Sequence, residues 1–172
     1  DLHLAPLREN RRECWVVNSQ VNFCAKAYPT VPGGHPDAAA LTVLAGYLRN
    51  GFLHRAIREQ GGAYGGGASH DASTAAFRFF SYRDPRVAGT LADFDASIEW
   101  MRSSPVNATA LEEAILGVIG SFDRPGSPAG EAKQDFHNRR FGRDWEHRMA
   151  FRQAVLAVTF EGDAPDAMYY RS

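Results

Sequence analysis

Residues 62–82 read GAYGGGASHDASTAAFRFFSY, a pattern typical of a β-hairpin. The second half, residues 75–82, alternates, because Phe77 and Phe79 fall on one side of an extended chain and the intervening residues on the other. The first half is rich in glycine yet leads straight towards that strand. A turn near residues 71–73 would make the two halves antiparallel. Since aromatic residues occur on both sides, we expect one face of the sheet to be covered and the other to line something.

Upstream of this hairpin the chain shows one extended and one helical pattern. Residues 15–28 alternate with a period of two, which predicts a half-buried strand in which Cys24 is a small buried residue. Asp37 is placed to cap a following helix with its carboxylate. Asn50-Gly51 predicts a break or kink in that helix, and residues 52–60 resume the helical pattern.

Four helical patterns follow the hairpin. Asp84-Pro85 predicts the start of the first, with the carboxylate as cap, and Pro105 predicts its end. Residues 109–112, Thr-Ala-Leu-Glu, match a capping box for the second. Helical patterns resume over about residues 131–141 and, after Asp144, through Ala157.

The predicted order is therefore a strand, a helix pair, two strands and four helices. Strands flanked by helices, with a tight hairpin among them, indicate an α+β fold of two layers, an antiparallel sheet with helices packed on one face. The length of 172 residues fits a single domain over residues 1–172.

Composition restricts the partners of the chain. A formal net charge of −1 provides no long-range field for nucleic acid or an anionic membrane, so neither is an expected partner. No apolar run approaches the roughly 20 residues of a membrane-spanning helix. The two cysteines, Cys14 and Cys24, are too few for a disulfide framework. The start, residues 1–4, does not match a signal peptide and resembles the beginning of an excised domain.

Motifs for common enzyme chemistry are missing from the sequence. None of the six histidines belongs to an HExxH or an inverted HxxEH motif, so we predict no zinc ligands and no metal cofactor in this chain. No GxSxG motif is present. The glycine run after residue 61 leaves a helix and enters a strand, whereas phosphate loops lead from a strand into a helix. We therefore predict no catalytic residue and no nucleotide site.

The segment from Arg58 to Gly65, REQGGAYG, is the most informative one. Glycine destabilises regular structure, so a run of glycines indicates a bend or a close approach of backbones. Arg58 ends a predicted helix, where the helix dipole favours a cation. Two interpretations stay open from the residues alone. Arg58 either only caps the helix while Tyr64 packs, or both side chains take part in binding.

Three segments together resemble the last domain of insulinase-type (pitrilysin-type) zinc metallopeptidases. The segment IREQGGAYG, residues 57–65, resembles the signature of that domain. The segment VNFCAKAYP, residues 21–29, resembles its first strand. The segment FRFFSYRDP, residues 77–85, resembles the strand and helix entry of the presequence-protease-like branch. Order and spacing agree over residues 15–160, whereas residues 161–172 match poorly and read as a truncated or diverged tail.

The resemblance implies a role for this chain within a larger enzyme. Family members enclose a chamber between two halves, and zinc binds an HxxEH helix of the first domain. The last domain carries an Arg and a Tyr six positions apart that reach the substrate, and Arg58 and Tyr64 match that pair. The resemblance thus implies a substrate-binding, chamber-closing C-terminal domain of a zinc endopeptidase for short unstructured peptides. Zinc and its ligands are expected in the N-terminal half, the expected partner, and the chain alone should be inactive.

Two alternatives stay open. The chain is either part of an active enzyme or a non-catalytic structural or peptide-binding subunit of the same architecture. An unrelated α+β binding domain is a third possibility, and it predicts no groove near Tyr64. The expected compartment is the bacterial cytoplasm, or an organelle matrix in a eukaryote. Peptide specificity, full-length architecture and oligomeric state do not follow from the sequence.

Overall fold

The computed structural model describes residues 9–124, 126–140 and 144–160. Its sheet has three strands, β1 (Asn22–Pro29), β2 (Gly65–Asp71) and β3 (Ala76–Asp84), in the order β1-β3-β2. Both pairings are antiparallel. β2 and β3 form the predicted hairpin, with Asp71 opposite Ala76 and Gly65 opposite Tyr82.

Asp71 organises the hairpin turn. One of its carboxylate oxygens accepts hydrogen bonds from the Ser73 backbone N–H at 3.0 Å, the Ser73 hydroxyl at 2.5 Å and the Thr74 N–H at 3.3 Å. The other oxygen lies 3.0 Å from the guanidinium of Arg78 in β3. An aspartate that bonds the backbone two residues ahead is a common way to build a turn, which explains why the sequence predicts this one well.

The predicted strand over residues 15–28 is correct only from Asn22 onwards. Trp15, Val16 and Val17 lie outside the sheet and are largely exposed. Within β1 the buried face carries Cys24, as predicted, whereas Phe23 is 69% exposed on the other face. An apolar segment can alternate without pairing, because pairing requires a neighbouring strand and β3 ends opposite Asn22.

Six helical segments accompany the sheet in the described part of the chain. One follows β1 and continues into a π-helix, and four follow the hairpin, as the sequence predicts. Their bounds are α1 (Ala38–Leu48), the π-helical segment (Arg49–Gln60), α2 (Ala88–Ser103), α3 (Ala108–Phe122), α4 (Pro128–Arg140) and α5 (Trp145–Leu156).

The chain does not leave the helix at Asn50-Gly51, where the sequence predicts a break or kink. Instead of ending, the helix widens at Arg49 and continues as a π-helix to Gln60. Gly51 is needed for packing rather than for a break, because a Cβ there would lie within 3.2 Å of ring atoms of Trp100 in α2. Helices whose backbone hydrogen bonds join residues five apart are rare in proteins, and they occur often at functional sites.

Three predicted helix caps are also wrong. Asp37 precedes α1 but makes no side-chain cap bond. Asp84 is the last residue of β3, and α2 begins only at Ala88. For α3, the Asn107 side chain rather than Thr109 accepts the N–H of Ala110. Asn107 has the extended backbone that a capping residue needs, whereas Thr109 already lies inside the helix.

The helices cover one face of the sheet, which confirms the two-layer α+β fold. The main core contains sheet residues such as Phe77 and Phe79 together with Leu48, Leu53 and Phe94 of the helical layer. A second core joins α1 to α3 and α5 around Val43, Tyr47, Ala114 and Val155. The open face of the sheet carries the exposed Phe23, Arg78 and Tyr82.

Some expectations lie beyond these observations. The predicted tail, residues 161–172, falls outside the described residues, and the extent of a single domain over residues 1–172 stays a prediction. In the described part of the chain, no helix has the length and apolar character needed to cross a membrane.

Candidate functional site

Arg58 and Tyr64 are joined by a tight helix-to-strand connection. Gly62 has a φ of +79°, the left-handed conformation that commonly ends helices. Its N–H donates to the Arg58 carbonyl at 3.0 Å, and the next N–H, of Ala63, donates to the Ile57 carbonyl at 3.1 Å. The glycine predicted to mark a bend therefore reverses the chain between the two residues. As a result, Arg58 and Tyr64 line the same groove.

An open groove lies between the π-helical segment and the hairpin. It encloses about 260 Å³ and is lined by Arg49, His54, Arg58, Tyr64, Gly65, Gly66, Phe80 and Tyr82. Small-molecule sites usually enclose roughly 300–1,000 Å³, so this groove fits a short part of a longer ligand rather than a whole one. One wall carries two arginines and a histidine, and the other carries the aromatic rings.

The π-helix aligns the basic residues of the first wall. Arg49 and His54 are five residues apart, and His54 and Arg58 are four apart. These spacings are close to one turn of a π-helix, whose hydrogen bonds join residues five apart and which has roughly four to five residues per turn. In an α-helix, with 3.6 residues per turn, Arg49 would point well away from the other two. The same segment buries Leu53, Ala56 and Ile57. Hence its apolar side holds it to the sheet while its basic side faces the groove.

The glycines of β2 make room for the groove. A Cβ at Gly65 would collide with the phenol ring of Tyr82, and one at Gly67 would lie 3.0 Å from the Cγ and Cδ atoms of Arg49. At Gly66 a Cβ would lie 2.7 Å from the Phe80 carbonyl oxygen. The glycine run therefore serves close approach of side chains and backbone.

Tyr64 presents its side chain to solvent. It is 62% exposed. Its ring centroid lies 5.7 Å from that of Tyr82, and the guanidinium carbon of Arg83 lies 5.7 Å from the same ring. The Tyr64 N–H donates to the Arg83 carbonyl at 3.2 Å. Arg58 is exposed as well, so neither member of the predicted pair is buried in the core.

A buried polar network fastens the junction from below. Asp84, which is fully buried, accepts the Arg86 N–H at 2.9 Å and the Thr90 hydroxyl at 2.6 Å. The Arg86 guanidinium then donates to the Ala56 carbonyl at 3.3 Å and to Asp93 at 2.8 Å. Asp84 and Thr90 are buried, whereas Arg86 and Asp93 are partly exposed and the Arg86 Nε has no partner among the described residues. Hydrogen bonds between such groups favour one geometry. The network thereby ties the π-helical segment to the end of β3.

Arg86 also accounts for Gly61. A Cβ at Gly61 would overlap the Arg86 guanidinium, so only glycine leaves room for this contact. The two glycines that join Arg58 to Tyr64 thus have different tasks. Gly61 admits Arg86, and Gly62 supplies the left-handed turn.

A metal site requires several His, Cys, Asp or Glu side chains close together. Among residues 9–124, 126–140 and 144–160, no three His, Cys, Asp or Glu side chains come together as a set that could hold a metal ion. The histidine in the groove, His54, faces Glu59, with 3.4 Å between its Nδ1 atom and the carboxylate. Two side chains, His54 and Glu59, are fewer than the three or four protein ligands that zinc sites use.

Sequence reasoning finds part of this site. It brings Arg58 and Tyr64 to one junction, and the structure places both in one groove. It misses Arg49 and His54, because their alignment requires a π-helix that an apolar pattern does not reveal. It also misses Arg83, although the interruption of strand alternation before Asp84-Pro85 is a signal in the sequence. The roles of Arg58 and Tyr64 in substrate binding stay predictions.

The fold places the chain in a known structural class. A crystal structure of a candidate zinc protease from Bordetella pertussis Tohama I superimposes with a TM-score of 0.64. The likeness covers 81% of this chain and 84% of that one at 19% sequence identity, which supports a shared fold. The domain thus has the architecture of that protease structure.

The family assignment is more specific. Residues 12–164 match the family described as the PreP C-terminal domain, and the chain belongs to that family. The mitochondrial presequence protease of Kluyveromyces lactis is 44% identical over 119 residues, which are 69% of this chain and 12% of that protein. The mitochondrial presequence protease of Mus musculus is 35% identical over 147 residues, 86% of this chain and 14% of that protein.

These matches confirm the resemblance inferred from the three segments. They also give its scale, since the chain spans between 12% and 14% of the length of the two relatives. The chain therefore corresponds to one domain of these much longer relatives.

Proposed function

We propose that this chain is the substrate-binding, chamber-closing C-terminal domain of a zinc endopeptidase that degrades short unstructured peptides. Arg58 and Tyr64 hold the peptide, and the N-terminal half of the enzyme holds the zinc. The observation that carries the proposal is that both side chains line one open groove with their polar ends free of the core. Family membership supports the rest.

The chemistry of the groove suits a peptide backbone. The Arg58 guanidinium has five N–H donors, and the Tyr64 phenol donates one hydrogen bond. Peptide carbonyl oxygens accept such bonds, and they do so more strongly when negative charge develops on them. When bound in the other half, zinc would activate water and polarise the scissile carbonyl. Arg58 and Tyr64 would keep the peptide in register while that charge forms.

The aromatic wall favours apolar parts of the same peptide. Tyr64, Phe80 and Tyr82 provide ring faces beside the cations. Apolar and aromatic side chains of a peptide bury surface against such rings, and this kind of contact does not require one particular peptide sequence. A mixed wall of this kind matches a protease that accepts many short peptides.

The experiment uses the zinc-loaded full-length polypeptide that includes this chain and a short internally quenched fluorogenic peptide. Arg58→Ala should lower kcat/KM about 10- to 100-fold, and Tyr64→Phe about 3- to 10-fold, since a charged hydrogen bond is the stronger of the two. Zinc content should not change. Arg55→Ala is the matched control, because Arg55 is exposed on the same segment but does not line the groove.

The outcomes separate the alternatives. Wild-type kcat/KM in both Arg58→Ala and Tyr64→Phe would refute the substrate-binding role. A full-length protein without bound zinc and without hydrolysis of any peptide would instead favour the non-catalytic subunit. The compartment expected from the sequence, bacterial cytoplasm or an organelle matrix, stays a prediction.

A further inference from the structure

β3 contains a bulge at Arg83. Asn22 of β1 pairs with Asp84 and the next residue, Phe23, pairs with Tyr82, so Arg83 has no partner of its own in β1. The φ of Arg83 is +50°, a left-handed conformation that residues other than glycine and asparagine rarely adopt. Bulges of this kind redirect side chains and are frequent beside active sites.

The bulge exchanges the faces of the sheet on which the side chains of Arg83 and Asp84 lie. In a regular strand, Tyr82 on the exposed face would be followed by a buried residue 83 and an exposed residue 84. The structure has the reverse, with Arg83 exposed and Asp84 fully buried. The extra residue therefore delivers Asp84 to its buried network and leaves Arg83 at the edge of the groove.

Arg83 contacts Tyr64 through both its backbone and its side chain. Its carbonyl accepts the Tyr64 N–H at 3.2 Å. Its guanidinium carbon lies 5.7 Å from the centroid of the Tyr64 ring, within the range of a cation–π interaction. The ring has Tyr82 as a second neighbour, 5.7 Å away between centroids. With 62% of Tyr64 exposed, these two contacts restrict an otherwise loosely held ring.

Delivery of Asp84 to the buried network explains the bulge, but it does not explain why the bulged residue is an arginine. The hydrogen bonds of that network join Asp84 to Arg86 and Thr90, and the Arg83 side chain takes no part in them. Glycine or asparagine would adopt the left-handed conformation at lower cost. Backbone strain kept next to a binding groove indicates a functional use of the side chain.

We propose that Arg83 is a positioning residue for Tyr64. The left-handed bulge aims its guanidinium at the Tyr64 ring, which holds the phenol where it meets the peptide. This inference rests on the proposed substrate-binding role of Tyr64. The effect of Arg83 on catalysis passes through the Tyr64 ring, so it should disappear when that ring is removed.

The test is a double-mutant cycle in the zinc-loaded full-length enzyme, with the fluorogenic peptide as substrate. The variants are Arg83→Asn, Arg83→Lys, Tyr64→Ala and the double variant Arg83→Asn with Tyr64→Ala. Asparagine suits the left-handed backbone and removes the cation, whereas lysine keeps the cation. Arg55→Asn is the control for loss of one surface arginine, since Arg55 lies outside the groove.

Arg83→Asn should lower kcat/KM about two- to fivefold, as expected for loss of one cation–π contact at an exposed site. The loss should fall on the same parameter, kcat or KM, that Tyr64→Phe changes. Arg83→Lys should recover at least half of the rate. In the Tyr64→Ala background, Arg83→Asn should have no further effect. The unfolding midpoint of Arg83→Asn should equal or exceed that of the wild type.

Two results would overturn the inference. One is an Arg83→Asn enzyme with wild-type kinetics while Tyr64→Ala is impaired. The other is an equal relative decrease in kcat/KM from Arg83→Asn in the presence and in the absence of the Tyr64 ring. Such a result would mean that Arg83 acts independently of Tyr64. If Tyr64→Ala itself has wild-type kinetics, the proposed function fails and this inference fails with it.

Discussion

Replacing Gly62 by alanine should weaken both the fold and the site. The φ of +79° at Gly62 is left-handed, and a residue with a Cβ pays about 1–2 kcal/mol to adopt it. Alanine also restricts the unfolded chain, which returns about 0.4–1 kcal/mol. The nearest atom to the new Cβ, Cγ of Pro85, is 3.5 Å away, so no clash adds to the cost. The net loss should be about 1 kcal/mol.

Urea denaturation of the chain measures this loss, with Gly120→Ala as the matched control. Gly120 lies inside α3, a Cβ added there would have no neighbouring atom within 4 Å, and its φ is not in the left-handed range. Alanine there should stabilise the chain by roughly 0.5–1 kcal/mol, because glycine is a poor helix former. The two substitutions are chemically identical and should have opposite signs.

The same change should reduce activity in the full-length enzyme. Gly62 lies between Arg58 and Tyr64, and a relaxed backbone would move one relative to the other. A displacement of about 1 Å at a catalytic constellation can cost as much as 100-fold in rate. A Gly62→Ala chain at least as stable as the wild type, in an enzyme with full kcat/KM, would refute this account of the junction.

Two further predictions concern groups outside the groove. Hydrogen bonds from the Ser73 hydroxyl and N–H hold the pKa of Asp71 well below its ordinary value of 3.8, so its stabilising effect is complete above that value and declines as the pH falls below it. Between about pH 5 and pH 2, the free energy of unfolding, measured by urea denaturation, should therefore fall less for Asp71→Asn than for the wild type. An equal fall in both proteins would contradict this prediction. Burial raises the pKa of the Cys24 thiol, whereas Cys14 is exposed. Alkylation at mildly alkaline pH should thus modify Cys14 first by mass spectrometry, and equal rates at both cysteines would argue against a buried Cys24.

The hairpin follows from the sequence because its determinants are local. Asp71 forms the turn with its own neighbours, and Phe77 and Phe79 mark the buried face by simple alternation. Neither feature depends on distant contacts. The same reasoning locates α5, whose Asp144 cap accepts the N–H of His147 three residues ahead.

The π-helical segment could not be predicted in the same way. Its buried residues, Leu53, Ala56 and Ile57, fit an α-helical stripe as well as a π-helical one. The two helix types differ in the spacing of their backbone hydrogen bonds, which the apolar pattern does not encode. The segment packs against β2 and α2, and these contacts are not local in sequence. Arg49 therefore enters the groove through a tertiary effect.

The end of β3 shows a second limit. Asp84-Pro85 matches a helix start, yet the strand continues through Asp84 because the bulge at Arg83 brings that carboxylate inside. There it accepts hydrogen bonds from Arg86 and Thr90 instead of capping a helix. Local preference is overridden when a buried network satisfies the same group better.

Photo-crosslinking from position 64 tests the central claim most directly. Benzoylphenylalanine would replace Tyr64 in the full-length enzyme. In a control it would replace Phe136, which is 66% exposed on α4 and does not line the groove. Irradiation with a short peptide substrate should yield an enzyme–peptide adduct from position 64 and none from position 136. Adducts from position 136 alone would contradict the claim that this groove holds the peptide.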